Sequence, residues 1–227
     1  MFRNRADAGR QLAARLTSFR AGDPVVLALP RGGVPIGAEI ARALDAPLDV
    51  VLVRKIGVPG QPELALGAIV DGEEPELVID TRLMAMLDIP ENYVAEQRQR
   101  QLAEIERRRR LYLEGRPPVV VAGRTAIVVD DGIATGYTMR AALRAIRRRK
   151  PARLVLAVPV APPETIAALG AEVDEIVCLS TPDHFGAIGQ FYADFRQLDD
   201  AEVVALLRGR ASGPVATEPR RTGRAGT

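Results

Sequence analysis

Cysteine, histidine and lysine are nearly absent from this 227-residue chain. The one cysteine, Cys178, excludes an intrachain disulfide and a cysteine-based metal cluster. The one histidine, His184, reads as a structural or solvated loop residue. Lysine occurs only at Lys55 and Lys150, so all but two of the 31 basic residues are arginine. That skew reads as genome composition rather than nucleic-acid binding, because 29 acidic residues bring the net charge to only +2. No apolar run approaches the ~20 residues of a membrane span, and no signal-peptide hydrophobic region opens the sequence. The expectation is a cytoplasmic protein with no membrane or nucleic-acid partner.

What is present is ordinary globular material: 47% hydrophobic and 26% charged residues, enough for a packed core. Leu12, Ala13, Leu16 and Phe19 fall at helical spacing and are stopped by Gly22-Asp23-Pro24. Residues 25–29 form an apolar strand, 35–44 a helix with proline in its first turn, and 48–53 a second strand. Residues 54–61 read as a polar loop because Gly57, Pro59 and Gly60 interrupt them. Short strands follow at 65–70 and 77–79, with a Gly-Glu-Glu turn between them. Residues 81–114 read as a helical insertion broken at Pro90, and the Arg107–Arg110 run reads as a solvated face. Strands at 126–129, 154–159 and 175–179 alternate with helices at 139–149 and 163–169, and a short helix lies near 200–207. Strands alternating with helices imply right-handed βαβ units around a mostly parallel twisted sheet, an α/β fold. One domain over 1–207 is expected, followed by a disordered tail over 208–227.

The most informative stretch is 127–138. An apolar strand ends in two carboxylates, Asp130 and Asp131, and a turn of Gly132, Ile133, Ala134, Thr135, Gly136, Tyr137 and Thr138 leads into a helix. Backbone N–H groups and the positive end of the helix dipole favour a phosphate, and the threonines add hydroxyl donors. The carboxylates suit ribose hydroxyls and a divalent cation. A second strand-to-helix turn, Pro30-Arg31-Gly32-Gly33, offers two glycines and a cation. Arg54-Lys55 closes the next strand.

The 127–138 stretch resembles the motif that binds phosphoribosyl pyrophosphate (PRPP) in type I phosphoribosyltransferases, and Arg31-Gly32-Gly33 resembles that family's pyrophosphate loop. The resemblance covers about residues 24–180 and implies a Rossmann-like sheet with a helical hood. It implies a non-prolyl cis peptide in the pyrophosphate loop, with Arg31, Gly32, Gly33 and Lys55 on pyrophosphate and 54–61 as a mobile flap. It further implies Thr135–Thr138 on the 5′-phosphate, Tyr137 through its backbone, and Asp130 and Asp131 on the ribose and Mg²⁺. Asp130, Asp131, Arg31 and Lys55 would then be catalytic, transferring the phosphoribosyl group to a nucleobase-like nitrogen acceptor with release of pyrophosphate. In 6-oxopurine members an aspartate precedes the Thr-Gly; here Ala134 stands there, which argues against that acceptor class. Asp183, Phe185, Phe191 and Tyr192 read as an aromatic patch that could stack a base, with packing against the long helix the favoured role, and Cys178 reads as a buried small hydrophobe. Two other readings stay open: a non-catalytic PRPP sensor that binds nucleic acid, and a domain for some other sugar phosphate. A homodimer is also left open.

Overall fold

The computed structural model describes residues 1–72, 75–113, 116 and 118–209, and at 62 and 63 the backbone alone. The tail expected beyond 209 and the turn expected at 73 and 74 lie outside the described residues. Five short, β-branched segments form the main sheet: β1 Pro24–Ala28, β2 Leu48–Val50, β6 Thr125–Val129, β7 Arg153–Val160 and β8 Glu175–Ser180. They are all parallel and lie in the order β2-β1-β6-β7-β8.

Both faces of this sheet are covered, which is why β1 and β6 are buried at every position rather than alternately. Ile127 and Val129 of β6 face one core, with helices α1 Arg5–Arg15, α2 Gly33–Leu44 and α7 Asp200–Arg208. Ala126 and Val128 face the other, with α5 Tyr137–Arg148. Each large aliphatic side chain buried this way contributes about 1.5–3 kcal/mol relative to exposure. The short α6 Pro163–Leu169 joins β7 to β8.

The segment expected as a loop is a strand. β3 Val53–Val58 and β4 Gln61–Val70 form an antiparallel hairpin, to which β5 Glu76–Ile79 adds as a third strand of a separate sheet. Pro59 and Gly60 are only its turn, and register shifts at Ile56, Gly57 and Val58 mark an irregular ladder. The expected strand 48–53 is correspondingly cut short at Val50. Helices α3 Thr81–Met86 and α4 Glu91–Leu113 form the insertion, with the break near Pro90 as expected. Tyr93 of α4 donates to the Gly57 carbonyl at 2.9 Å, and Arg54 donates to Gln101 at 3.0 Å, so the hairpin rests on the long helix. Among the described residues no helix is long and apolar enough to cross a membrane.

Candidate functional site

The strand order places the site. From β1 the chain runs to β2 on one side, and it later returns to β6 on the other, so strand order reverses between β1 and β6. Open α/β sheets bind ligands outside the carboxyl ends of their strands at such a reversal. Leu29 donates to the Val129 carbonyl at 2.9 Å, carrying the β1–β6 pairing up to both turns. The segments 30–33 and 130–138 therefore leave the sheet side by side. The Pro30–Arg31 peptide is cis, as the resemblance implied.

The two carboxylates are in different situations. Asp131 is buried, and its Oδ2 accepts from Nε of Arg5 at 2.7 Å. A Cβ on Gly32 would overlap this carboxylate, so only glycine lets the two turns approach so closely. Asp130 Oδ1 accepts from the Asp131 backbone N–H at 2.8 Å. Burial, and then the Asp131 charge beside it, push the Asp130 carboxyl well above the usual carboxylate range. Burial also raises Asp131, against the opposing pull of Arg5.

Beyond the pair, Ile133 donates to the Val160 carbonyl at 3.0 Å and Thr165 Oγ1 donates to the Ala134 carbonyl at 2.7 Å, fixing the turn on its outer side. Gly136 takes φ +76° to start α5, a left-handed conformation suited to glycine. No side chain caps this helix, and Ala134, Thr135 and Tyr137 are exposed. The first turn of α5 therefore presents N–H groups to an anion. The Tyr137 ring faces outward, as expected.

Arg31 and Lys55 stand apart from this turn. Arg31 donates to the Leu198 carbonyl at 2.6 Å and lies 4.0 Å from Asp200 at the start of α7. Asp200 also accepts from the Tyr112 hydroxyl, and burial, then this bond, pushes the phenol up to about 12. Lys55 sits in β3, not in a loop, opposite Ala68. It lines a cleft of about 480 Å³ between the hairpin and α4 with Arg54, Tyr93, Gln97 and Gln101. None of residues 30–33 or 130–138 lines that cleft.

Two contributors were not expected from the sequence to touch the acidic pair. Arg5 lies 126 positions from its partner Asp131, just before the segment 6–20 that reads only as a helix. Tyr192 packs against Phe2 and Phe195 rather than the long helix, and its buried hydroxyl donates to the Asp131 carbonyl at 2.6 Å. Phe185 stacks on Phe191 with centroids 5.3 Å apart, and Ile188 packs over Gly132. His184 is exposed. Cys178 is half-buried in β8, and burial pushes its thiol up.

The parallel sheet thus carries an acidic pair, a glycine-bearing turn and an uncapped helix N-terminus together at its reversal point. The chain belongs to the phosphoribosyl transferase domain family, whose description matches residues 3–196. It is 46% identical over 207 residues to Rv0571c of Mycobacterium tuberculosis H37Rv, which carries phosphoribosyl transferase as a provisional name. The same values hold for MT0597 of strain CDC 1551. The chain spans about half, 46%, of the length of these curated relatives. It is also similar to the crystal structure of TT1426 from Thermus thermophilus, at 44% identity and a TM-score of 0.79. That similarity covers 93% of this chain and 99% of the other.

Proposed function

We propose that this protein is a Mg²⁺-dependent phosphoribosyltransferase that moves the 5-phosphoribosyl group of PRPP onto a nitrogen acceptor of nucleobase type. The observation that carries the reading is the crevice at β1 and β6, where turns 30–33 and 130–138 stand side by side. A ligand with a phosphate at each end and a hydroxylated ring between them matches that order of groups. We also infer one domain over 1–207, since α7 buries Val203 and Leu207 in the core shared by α1 and α2.

In the transfer, the bond from the anomeric carbon to pyrophosphate breaks and a bond to the acceptor nitrogen forms. The leaving group departs with the electron pair, and the acceptor loses its proton. The ring passes through an oxocarbenium-like state, so the protein's help is electrostatic. Thr135–Thr138 and the α5 N-terminus hold the 5′-phosphate, a contact remote from the chemistry that fixes the ring. The backbone of Arg31, Gly32 and Gly33 faces the pyrophosphate, and Arg31 reaches it on leaving Leu198. Lys55 joins it only if the hairpin moves off α4. Asp130 holds the ribose hydroxyls.

Among the described residues no three His, Cys, Asp or Glu side chains converge on a metal position. Mg²⁺ takes one or two carboxylates and completes its shell with substrate phosphates and water. Asp130 is the residue that would hold it, with Asp131 behind; when bound, the ion would neutralise charge growing on the leaving group. The acceptor is not a 6-oxopurine of the usual kind, because Ala134 offers no group to its ring nitrogen.

The arginine run of α4 favours an enzyme over a nucleic-acid-binding sensor. Arg107 and Arg108 both pair with Glu104, Arg109 with Asp71 and Arg110 with Glu106, so every arginine of the run has a carboxylate partner. The testing experiment incubates the protein with Mg²⁺, PRPP and a panel of nucleobases and follows pyrophosphate release. Release with one acceptor, lost in Asp130→Asn, is expected. No release with any acceptor, despite PRPP binding, would return the sensor reading.

A further inference from the structure

We propose that Arg5 is a positioning residue that holds the Asp131 carboxylate against Gly32 and so locks the two ligand-binding turns together. This deepens the reading above and rests on it for its effect on ligands. The hold itself is a property of the unliganded protein.

Four contacts converge on the pair. Nε of Arg5 donates to Asp131 Oδ2 at 2.7 Å, and both side chains are only 12% exposed. The guanidinium stacks on the Phe195 ring at 3.9 Å and donates through NH1 to the Arg196 carbonyl at 2.9 Å. From the other side, the Tyr192 hydroxyl donates to the Asp131 carbonyl. Phe2 packs on Tyr192, and the Phe2 and Phe191 backbones bond at 2.8 Å, so the N-terminal segment and 191–196 form one clamp.

The clamp acts on a place with no slack. Asp131 fills the space where a Cβ of Gly32 would be, so the carboxylate is a wedge between the turn after β6 and the turn after β1. An arginine suits this task because its planar fork can stack, bond a carboxylate and bond a carbonyl at once. A buried carboxylate without that partner swings toward solvent to recover hydration. Gly32 then loses the surface it rests on. The acidic pair accordingly divides its work: Asp131 is an internal strut bound by Arg5, and Asp130 is the carboxylate offered to ligand.

The division makes a selective forecast. Pyrophosphate needs the 30–33 turn, whereas ribose 5-phosphate is anchored by 135–138, whose fixing bonds to Val160 and Thr165 do not involve Arg5. The experiment compares the full chain with Arg5→Gln, Arg5→Lys, Asp131→Asn and the Arg5→Gln/Asp131→Asn double variant. The unliganded proteins are read by the amide resonance of Gly32. Calorimetry with Mg²⁺ then reads pyrophosphate and ribose 5-phosphate separately.

In Arg5→Gln the Gly32 resonance moves and Arg5→Lys brings it back toward the parent position. Pyrophosphate affinity falls about tenfold, the lower end of what orienting partners command, while ribose 5-phosphate affinity changes by less than about twofold. The double variant is no worse than Asp131→Asn alone, because Arg5 acts through Asp131. An unmoved Gly32 resonance, or equal loss of both ligands, overturns the proposal. Should Arg5→Gln fail to fold, Arg5→Lys against Asp131→Asn decides on the same resonance. If the parent protein binds neither ligand, the phosphoribosyl reading fails, while the Gly32 resonance still decides whether Arg5 holds the wedge.

Discussion

Arg31, the cation of the 30–33 turn, donates to the Leu198 carbonyl at 2.6 Å, just before α7. Its guanidinium also lies 4.0 Å from Asp200, a carboxylate shared with Tyr112 and Arg107 of the long helix. Pyrophosphate bound at the 30–33 turn, as proposed, would compete with α7 for this side chain.

Asp200→Asn removes one competitor. A half-exposed ion pair of this kind is worth about 0.2–1 kcal/mol, so pyrophosphate affinity rises by about 1.4- to fivefold in the variant. Arg31→Ala lowers it below the parent. Calorimetric titration of both variants with Mg²⁺ and pyrophosphate measures the pair of effects.

Gly32→Ala drives a methyl group into the Asp131 carboxylate. Overpacking of a tight site costs about 1–3 kcal/mol, and the displaced carboxylate breaks with Arg5. A lower urea midpoint at unchanged slope, together with lost pyrophosphate binding, is the expected outcome.

Much of this site is legible in the sequence, and the reason is local. β1, β6, α2 and α5 are runs whose two neighbouring turns carry their own glycine and acidic signals, so Arg31–Gly33 and Asp130–Thr138 stand out unaided. The hairpin is not local in that sense. Gly57, Pro59 and Gly60 crowd one short window and read as a loop, whereas strand formation there depends on pairing with residues up to Val70. The links of Arg5 and Tyr192 to Asp131 are missed for a related reason: they depend on a partner far away in sequence. Ordinary arginines and tyrosines carry no motif.

Asp130→Asn stabilises the unliganded protein. Burial and the Asp131 charge hold the Asp130 carboxyl above its ordinary 3.8, so above that pH the folded state binds more protons than the unfolded chain. Its contribution to stability therefore falls as pH rises from about 3.8 through the raised value. Asparagine does not titrate, so the variant's gain in melting temperature is largest near about pH 8 and shrinks toward about pH 4. A variant less stable than the parent across this range would contradict the assignment.

Tyr93→Phe removes the bond from α4 to the Gly57 carbonyl. The loss is about 0.5–1.5 kcal/mol, concentrated in the hairpin. Hydrogen exchange of the amides over 53–61 speeds up while that of β6 is unchanged. If Lys55 reaches ligand by hairpin movement, PRPP affinity in Tyr93→Phe stays level or rises.

The central claim is that the crevice at β1 and β6 takes PRPP as one ligand. Thermal melting of the parent protein with Mg²⁺ and PRPP tests it, against ribose 5-phosphate, pyrophosphate and NAD as controls. At a concentration ~100 times its dissociation constant a ligand stabilises the fold by about 2.7 kcal/mol, readily visible as a melting shift. The predicted result is a shift with PRPP well beyond that given by either fragment, and none with NAD. No shift with PRPP, or an equal shift with ribose 5-phosphate alone, would contradict it.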